Sequence, residues 1–98
     1  MSLPVMMRPS AEADVVEIFG DLEFIRPGLG KRFIARLREV LDRIAWMPEM
    51  CGVVWQDVRA VKLRRFRYVV YYVVFADRVE VLAILHGSRD VSAWRSRV

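Results

Sequence analysis

The chain of 98 residues has one cysteine, Cys51, and one histidine, His86. A lone cysteine excludes an intrachain disulfide and a zinc centre built from several thiolates. Cys51 and His86 lie in different local segments and the acidic residues show no recognised ligand spacing, so neither a metal nor a cofactor is expected. Gly28 and Gly30 lack the preceding strand and the glycine-lysine context of a phosphate loop, and turn formation explains them better. Ser88 has no clear histidine-plus-carboxylate arrangement around it, which argues against a serine-hydrolase triad. Long apolar runs are missing too. No extended hydrophobic segment follows a basic region at the N-terminus, and the run from Tyr68 to Ala76 is too short to cross a bilayer as a helix. Secretion and membrane insertion are therefore not signalled, and a cytoplasmic setting fits best.

Hydrophobic residues make up 55% of the chain. That suffices for one core, and no repeat or linker divides it, so residues 1–98 read as a single domain with 91–98 as a C-terminal tail. So much apolar surface on so short a chain suggests either a dense core or a face covered by a protein partner. Charge is uneven. Residues 1–49 carry eight acidic and seven basic side chains, whereas residues 50–98 carry four acidic and nine basic ones, giving −1 and +5. The second half is the pole that would attract nucleic acid, an acidic protein segment or another anionic surface.

The segment from Leu3 to Arg8 predicts a short strand, broken by Pro9-Ser10. Ser10 is placed to cap a helix to about Phe24, with Val15, Ile18 or Phe19, Leu22 and Ile25 facing inward and Glu12 and Asp14 in the first turn. After the turn Arg26-Pro27-Gly28, a second amphipathic helix runs from about Leu29 to Met47 on Phe33, Leu37, Leu41 and Ile44, and Pro48 closes it. The two helices should form an antiparallel hairpin. Met50 to Asp57 reads as a loop. Val61-Leu63, Tyr68-Ala76 and Val79-Leu85 then predict a three-stranded antiparallel meander with the middle strand central. The fold class is α+β, the N-terminal strand completing one small sheet.

Candidate functional residues gather late in the chain. Period-two alternation puts Lys62 and Arg64 on one strand face; Arg65 and Arg67 can enlarge that cationic surface, with Phe66 and Tyr68 able to stack on a base. A solvated, charge-protected edge strand explains the same pattern equally well. His86 can exchange a proton near neutrality, and Arg89 can hold a phosphate or carboxylate. Alternatively, His86 ties down the sheet end and Arg89-Asp90 is an ion pair. Trp46, Trp55 and Trp94 read as core or interface anchors, with Trp94 able to cover the open side of the sheet.

The order of these elements, with Ala11-Glu12-Ala13-Asp14, Arg67-Tyr68-Val69-Val70-Tyr71-Tyr72 and Leu85-His86-Gly87-Ser88-Arg89-Asp90, resembles the RelE/ParE toxin superfamily over residues 3–90, closer to the ParE or plasmid-stabilisation branch. The resemblance implies a toxin neutralised by a cognate antitoxin in a hetero-oligomer, with Phe66, Tyr68 and Trp94 as antitoxin contacts and Lys62, Arg64, Arg65, Arg67 and Arg89 as target contacts. For the ParE branch it implies inhibition of DNA gyrase. For the RelE branch it implies cleavage of messenger RNA at the ribosome, which would fall here to Lys62, Arg64, His86 and Arg89. That pattern's central-strand arginine falls at Val69, however, and Trp94 and Arg95 stand in its catalytic tyrosine region, where an indole cannot supply a phenolic proton. A non-toxic binding protein of the same fold is the third alternative.

Overall fold

The computed structural model describes residues 2–98. The elements in order are β1 (Val5–Met7), α1 (Pro9–Ile25), α2 (Leu29–Trp46), β2 (Val53–Trp55), β3 (Val58–Lys62), β4 (Tyr68–Val74), β5 (Val79–His86) and α3 (Ser92–Arg95). Five strands form one sheet in the order β1-β5-β4-β3-β2. The pairs are antiparallel except β1–β5, which is parallel. The expected meander is present with β4 central. It begins earlier than the sequence pattern indicated, because the segment expected to be a loop contributes β2, paired with β3 through Val53–Arg59 and Trp55–Val58. Three residues with no apolar alternation give no period to read.

The helices form the expected hairpin. Proline at the first position opens α1, and Arg8 rather than Ser10 is its N-cap residue. The Ser10 hydroxyl is committed elsewhere, donating to the Leu82 carbonyl at 3.0 Å. Gly28 takes φ +91°, a left-handed conformation that costs glycine little. Two residues on, a side chain at Gly30 would come within 2.8 Å of the Phe19 ring and 2.9 Å of the Phe19 carbonyl oxygen. Glycine there allows α1 and α2 to approach this closely. Phe33, Leu37, Val40 and Ile44 of α2 are buried against the sheet with Ala11, Ile18 and Leu22 of α1. Ile25, expected to face inward, is 71% exposed.

The outer sheet face has a smaller cover of its own. Val58, Val73, Leu82, Ala83 and Leu85 pack there under Trp94, brought in by α3. Trp94 stacks on Tyr71 at 4.7 Å between ring centroids and meets Trp55 edge-on at 5.9 Å. Trp46, by contrast, is 66% exposed.

Candidate target-binding site

A single extra residue in β5 places its C-terminal half. Tyr71 faces Ala83 while Tyr72 faces Val81, so Leu82 is bulged out of register. A bulge shifts the side-chain alternation beyond it to the other face. Val79 and Val81 point into the helical layer before it; after it, Ile84 does so. His86 follows at the same parity, its ring edge-on to Tyr68 of β4 at 5.8 Å. Unbroken alternation from Val81 would have sent His86 to the outer face.

Bulges leave ladder groups unpaired, and here the chain's two ends satisfy them. Asp14 Oδ2 accepts the Ile84 N–H at 3.0 Å and the Arg97 Nη1–H at 2.6 Å. The Leu82 carbonyl accepts from Ser10 Oγ at 3.0 Å and from Arg97 Nη1 at 3.3 Å. Asp14 therefore serves the sheet rather than the start of its own helix.

Lys62, Arg67 and His86 meet at this end of the sheet. The turn between β3 and β4 is closed by the Leu63 N–H donating to the Tyr68 carbonyl at 3.0 Å and the Phe66 N–H to the Leu63 carbonyl at 3.1 Å. The Gly87 N–H donates to the Arg67 carbonyl at 2.7 Å, tying turn to strand end. Lys62, Arg67, His86 and Ser88 line one hollow of about 500 Å³, with Phe66 and Tyr68 as its aromatic wall. Two sequence expectations need correction. Lys62 ends β3 and Arg64 lies in the turn, so the two do not share a strand face. Leu63 is buried at 1% exposure, and the chain turns on that anchor, leaving Arg64 outside the hollow. Arg65, at φ +70°, lines a separate hollow over α2 with Arg26, Arg32 and Arg36.

Arg89 lines a second hollow of about 260 Å³ that shares Tyr68 and His86 with the first. Its opposite wall is acidic: Asp14, Glu17 and Asp21 of α1 face Arg89 and Arg97. The carboxylates recur at three- and four-residue spacing, a signal the sequence held and its reading missed. Arg97 carried no such signal. Burial raises the Tyr68 phenol above its ordinary range, and the Asp21 carboxylate adds to the effect. The His86 ring is committed on one side. The Ser88 N–H donates to Nδ1 at 3.1 Å and Ser88 Oγ lies 2.7 Å from it. The neutral ring therefore carries its proton on Nε2, which it offers as a donor. Arg89 and Asp90 form no ion pair; Asp90 Oδ1 instead accepts the Ser92 N–H at 2.9 Å, opening α3. Trp94, expected to contact an antitoxin, is 3% exposed because Tyr71 and Trp55 already sandwich it. Among the described residues, no three His, Cys, Asp or Glu side chains are grouped to hold a metal, and no helix is long and apolar enough to cross a membrane.

A two-helix layer on a mixed five-stranded sheet, with a cationic and aromatic hollow at one end, defines a small α+β domain. The same fold occurs in a chain of the chromosomal ParDE toxin-antitoxin system from P. aeruginosa, similar at a TM-score of 0.76 and 16% identity over 87% of this chain and 96% of that one. No curated protein matches the sequence. Residues 5–91 match the family of ParE toxins of type II toxin-antitoxin (parDE) systems, and the chain belongs to that family.

Proposed function

We propose that this ParE-family toxin acts without cutting RNA, by binding and inhibiting an essential bacterial target, DNA gyrase, and that a cognate antitoxin holds it inactive. The observation that carries this reading is the surroundings of His86. A ribonuclease needs cations converging on one phosphate and a group free to move a proton. Here Arg64 stands outside the hollow that Lys62 and Arg67 line. Arg89 approaches His86 from a side walled by Asp14, Glu17 and Asp21, which repel a phosphate. Nδ1 of His86 is occupied by Ser88.

A binding role asks less of the same residues. Lys62 and Arg67 supply the charge that guides encounter, Phe66 and Tyr68 supply apolar contact, and Arg89 extends the surface around His86. Phe66 and Tyr68, half-exposed, are also the antitoxin contacts this reading keeps. The test runs the purified, antitoxin-free chain in two assays in parallel. Inhibition of gyrase supercoiling with no cleavage of ribosome-bound message is the expected result. Cleavage of the message without gyrase inhibition would replace the proposal with the ribonuclease alternative, and inactivity in both would favour a non-toxic binding protein.

A further inference from the structure

We propose that the outer sheet face beside Trp94 holds a binding site for a small aromatic carboxylate. Register and strand alternation place it there. Ala60 and Lys62 of β3 pair with Tyr71 and Val69 of β4, and Tyr71 packs with Trp94 on the outer face, so all four side chains share that face. α3 is only four residues long, and its tryptophan stacks on Tyr71. Beside that stack a hollow of about 430 Å³ remains, with Ala60, Val69, Tyr71 and Trp94 among its walls. Alanine at position 60 leaves this room, since a longer side chain on the same face would occupy it. The volume is that of a small-molecule site.

Two cations border this largely apolar lining, Lys62 from β3 and Arg95 from α3, and no carboxylate lines the hollow. Among the described residues neither cation enters an ion pair. The Arg95 guanidinium is already held in place, 4.9 Å from the centre of the Trp55 ring and 5.7 Å from that of Trp94. Fixed in this way, it offers its N–H fork to a carboxylate with little further loss of freedom. A charged head at Arg95 and a flat ring over Ala60 and Val69 use both halves of the surface. A nucleobase is a poorer guest. Besides the cations, only the Tyr71 hydroxyl and the Trp94 indole bring polar side-chain atoms to the hollow, too few to read the edge of a base. Lys62, Val69 and Gly87 also line the hollow around His86. A guest here therefore crowds the proposed target surface, and that consequence alone rests on the toxin reading.

The test titrates the full chain with naphthalene-2-carboxylate, its neutral amide and adenosine monophosphate by calorimetry, with backbone amide chemical shifts reporting the place of binding. The carboxylate should shift Ala60, Val69 and Tyr71 and bind about tenfold more tightly than the amide, the scale of one charge-assisted contact. Arg95→Gln should remove that preference. Ala60→Leu keeps both cations but fills the floor, and should abolish binding in a chain whose thermal unfolding shows it folded. Should Ala60→Leu misfold, Arg95→Gln, at an exposed position, decides alone. No binding, equal affinity for carboxylate and amide, tighter binding of the nucleotide, or carboxylate affinity unchanged in both variants overturns the site. The link to the toxin surface is read separately, since the bound carboxylate should weaken gyrase inhibition. Inhibition unchanged at saturating carboxylate keeps the site and removes the link. A chain that binds the carboxylate but never inhibits gyrase keeps the site and removes the gyrase reading.

Discussion

Asp14 of α1 accepts the backbone N–H of Ile84 in β5 at 3.0 Å, across 70 residues of sequence. The same carboxylate receives Arg97 from the C-terminal tail, and together they close the bulge that turns His86 to the helix side of the sheet. Helix, strand and tail thus meet on one side chain that is only 11% exposed.

Substitution of Asp14 by alanine leaves the Ile84 N–H and the Arg97 guanidinium without their acceptor. The expected loss is about 2 kcal/mol, the scale of one orphaned buried donor plus a broken, partly buried ion pair. Asp14→Asn keeps an oxygen for Ile84 and should lose less. Urea denaturation followed by circular dichroism measures both. Equal losses in the two variants would show that the Ile84 bond contributes nothing.

Trp94 is the plug of the outer face. Its removal as Trp94→Ala takes away the stack on Tyr71 and uncovers Ala83 and Leu85, for an expected loss of about 3 kcal/mol. Tryptophan emission should lose its blue-shifted part, since Trp46 is largely exposed. A loss under about 1 kcal/mol would mean that the tail is not docked in solution.

The helices and the central strand were legible because each rests on a repeated pattern: Phe33, Leu37 and Ile44 mark a face, and Tyr68 to Val74 is β-branched and aromatic throughout. What escaped was set by tertiary geometry. Nothing in Val79 to His86 announces that Leu82 is bulged, because its stabilising partners, Ser10, Asp14 and Arg97, are distant in sequence. The grouping of arginines failed for a related reason. Leu63 reads as one more strand residue, yet its burial ends the strand and sends Arg64 and Arg65 away from Lys62.

All three tyrosines have phenols raised above the ordinary value, each chiefly by burial, and Tyr72 most of all. Tyr72 Oη also donates to the Pro48 carbonyl at 2.9 Å, a bond that only the neutral phenol makes. A raised folded-state value means that the folded chain holds its phenolic protons longer than the unfolded chain does. Their contribution is thus whole below the unfolded value near pH 10 and is lost as pH rises toward the higher folded values. Unfolding curves should show falling stability above about pH 10, with phenolate absorbance appearing late and together with unfolding. Tyr72→Phe should cost about 1 kcal/mol at neutral pH. Phenolate absorbance at the free-tyrosine midpoint in a chain still folded would sink the argument.

Binding and cleavage demand different things of the sheet end, and three variants separate them. If Lys62 and Arg67 act by charge, Lys62→Ala/Arg67→Ala should weaken growth arrest and gyrase inhibition together, with the larger effect at low ionic strength, where exposed charges are least screened. Arg64→Ala should change little, since Arg64 lies outside the hollow. His86→Gln keeps a side chain able to donate, so on the binding reading its effect should stay below about tenfold. Removing a proton-transfer group from a cleaving site would instead cost about a hundredfold or more. Inhibition should therefore track the two cations rather than the imidazole. A His86→Gln chain that is folded, as judged by its thermal unfolding, yet inert in every assay would transfer the function back to proton chemistry at Nε2.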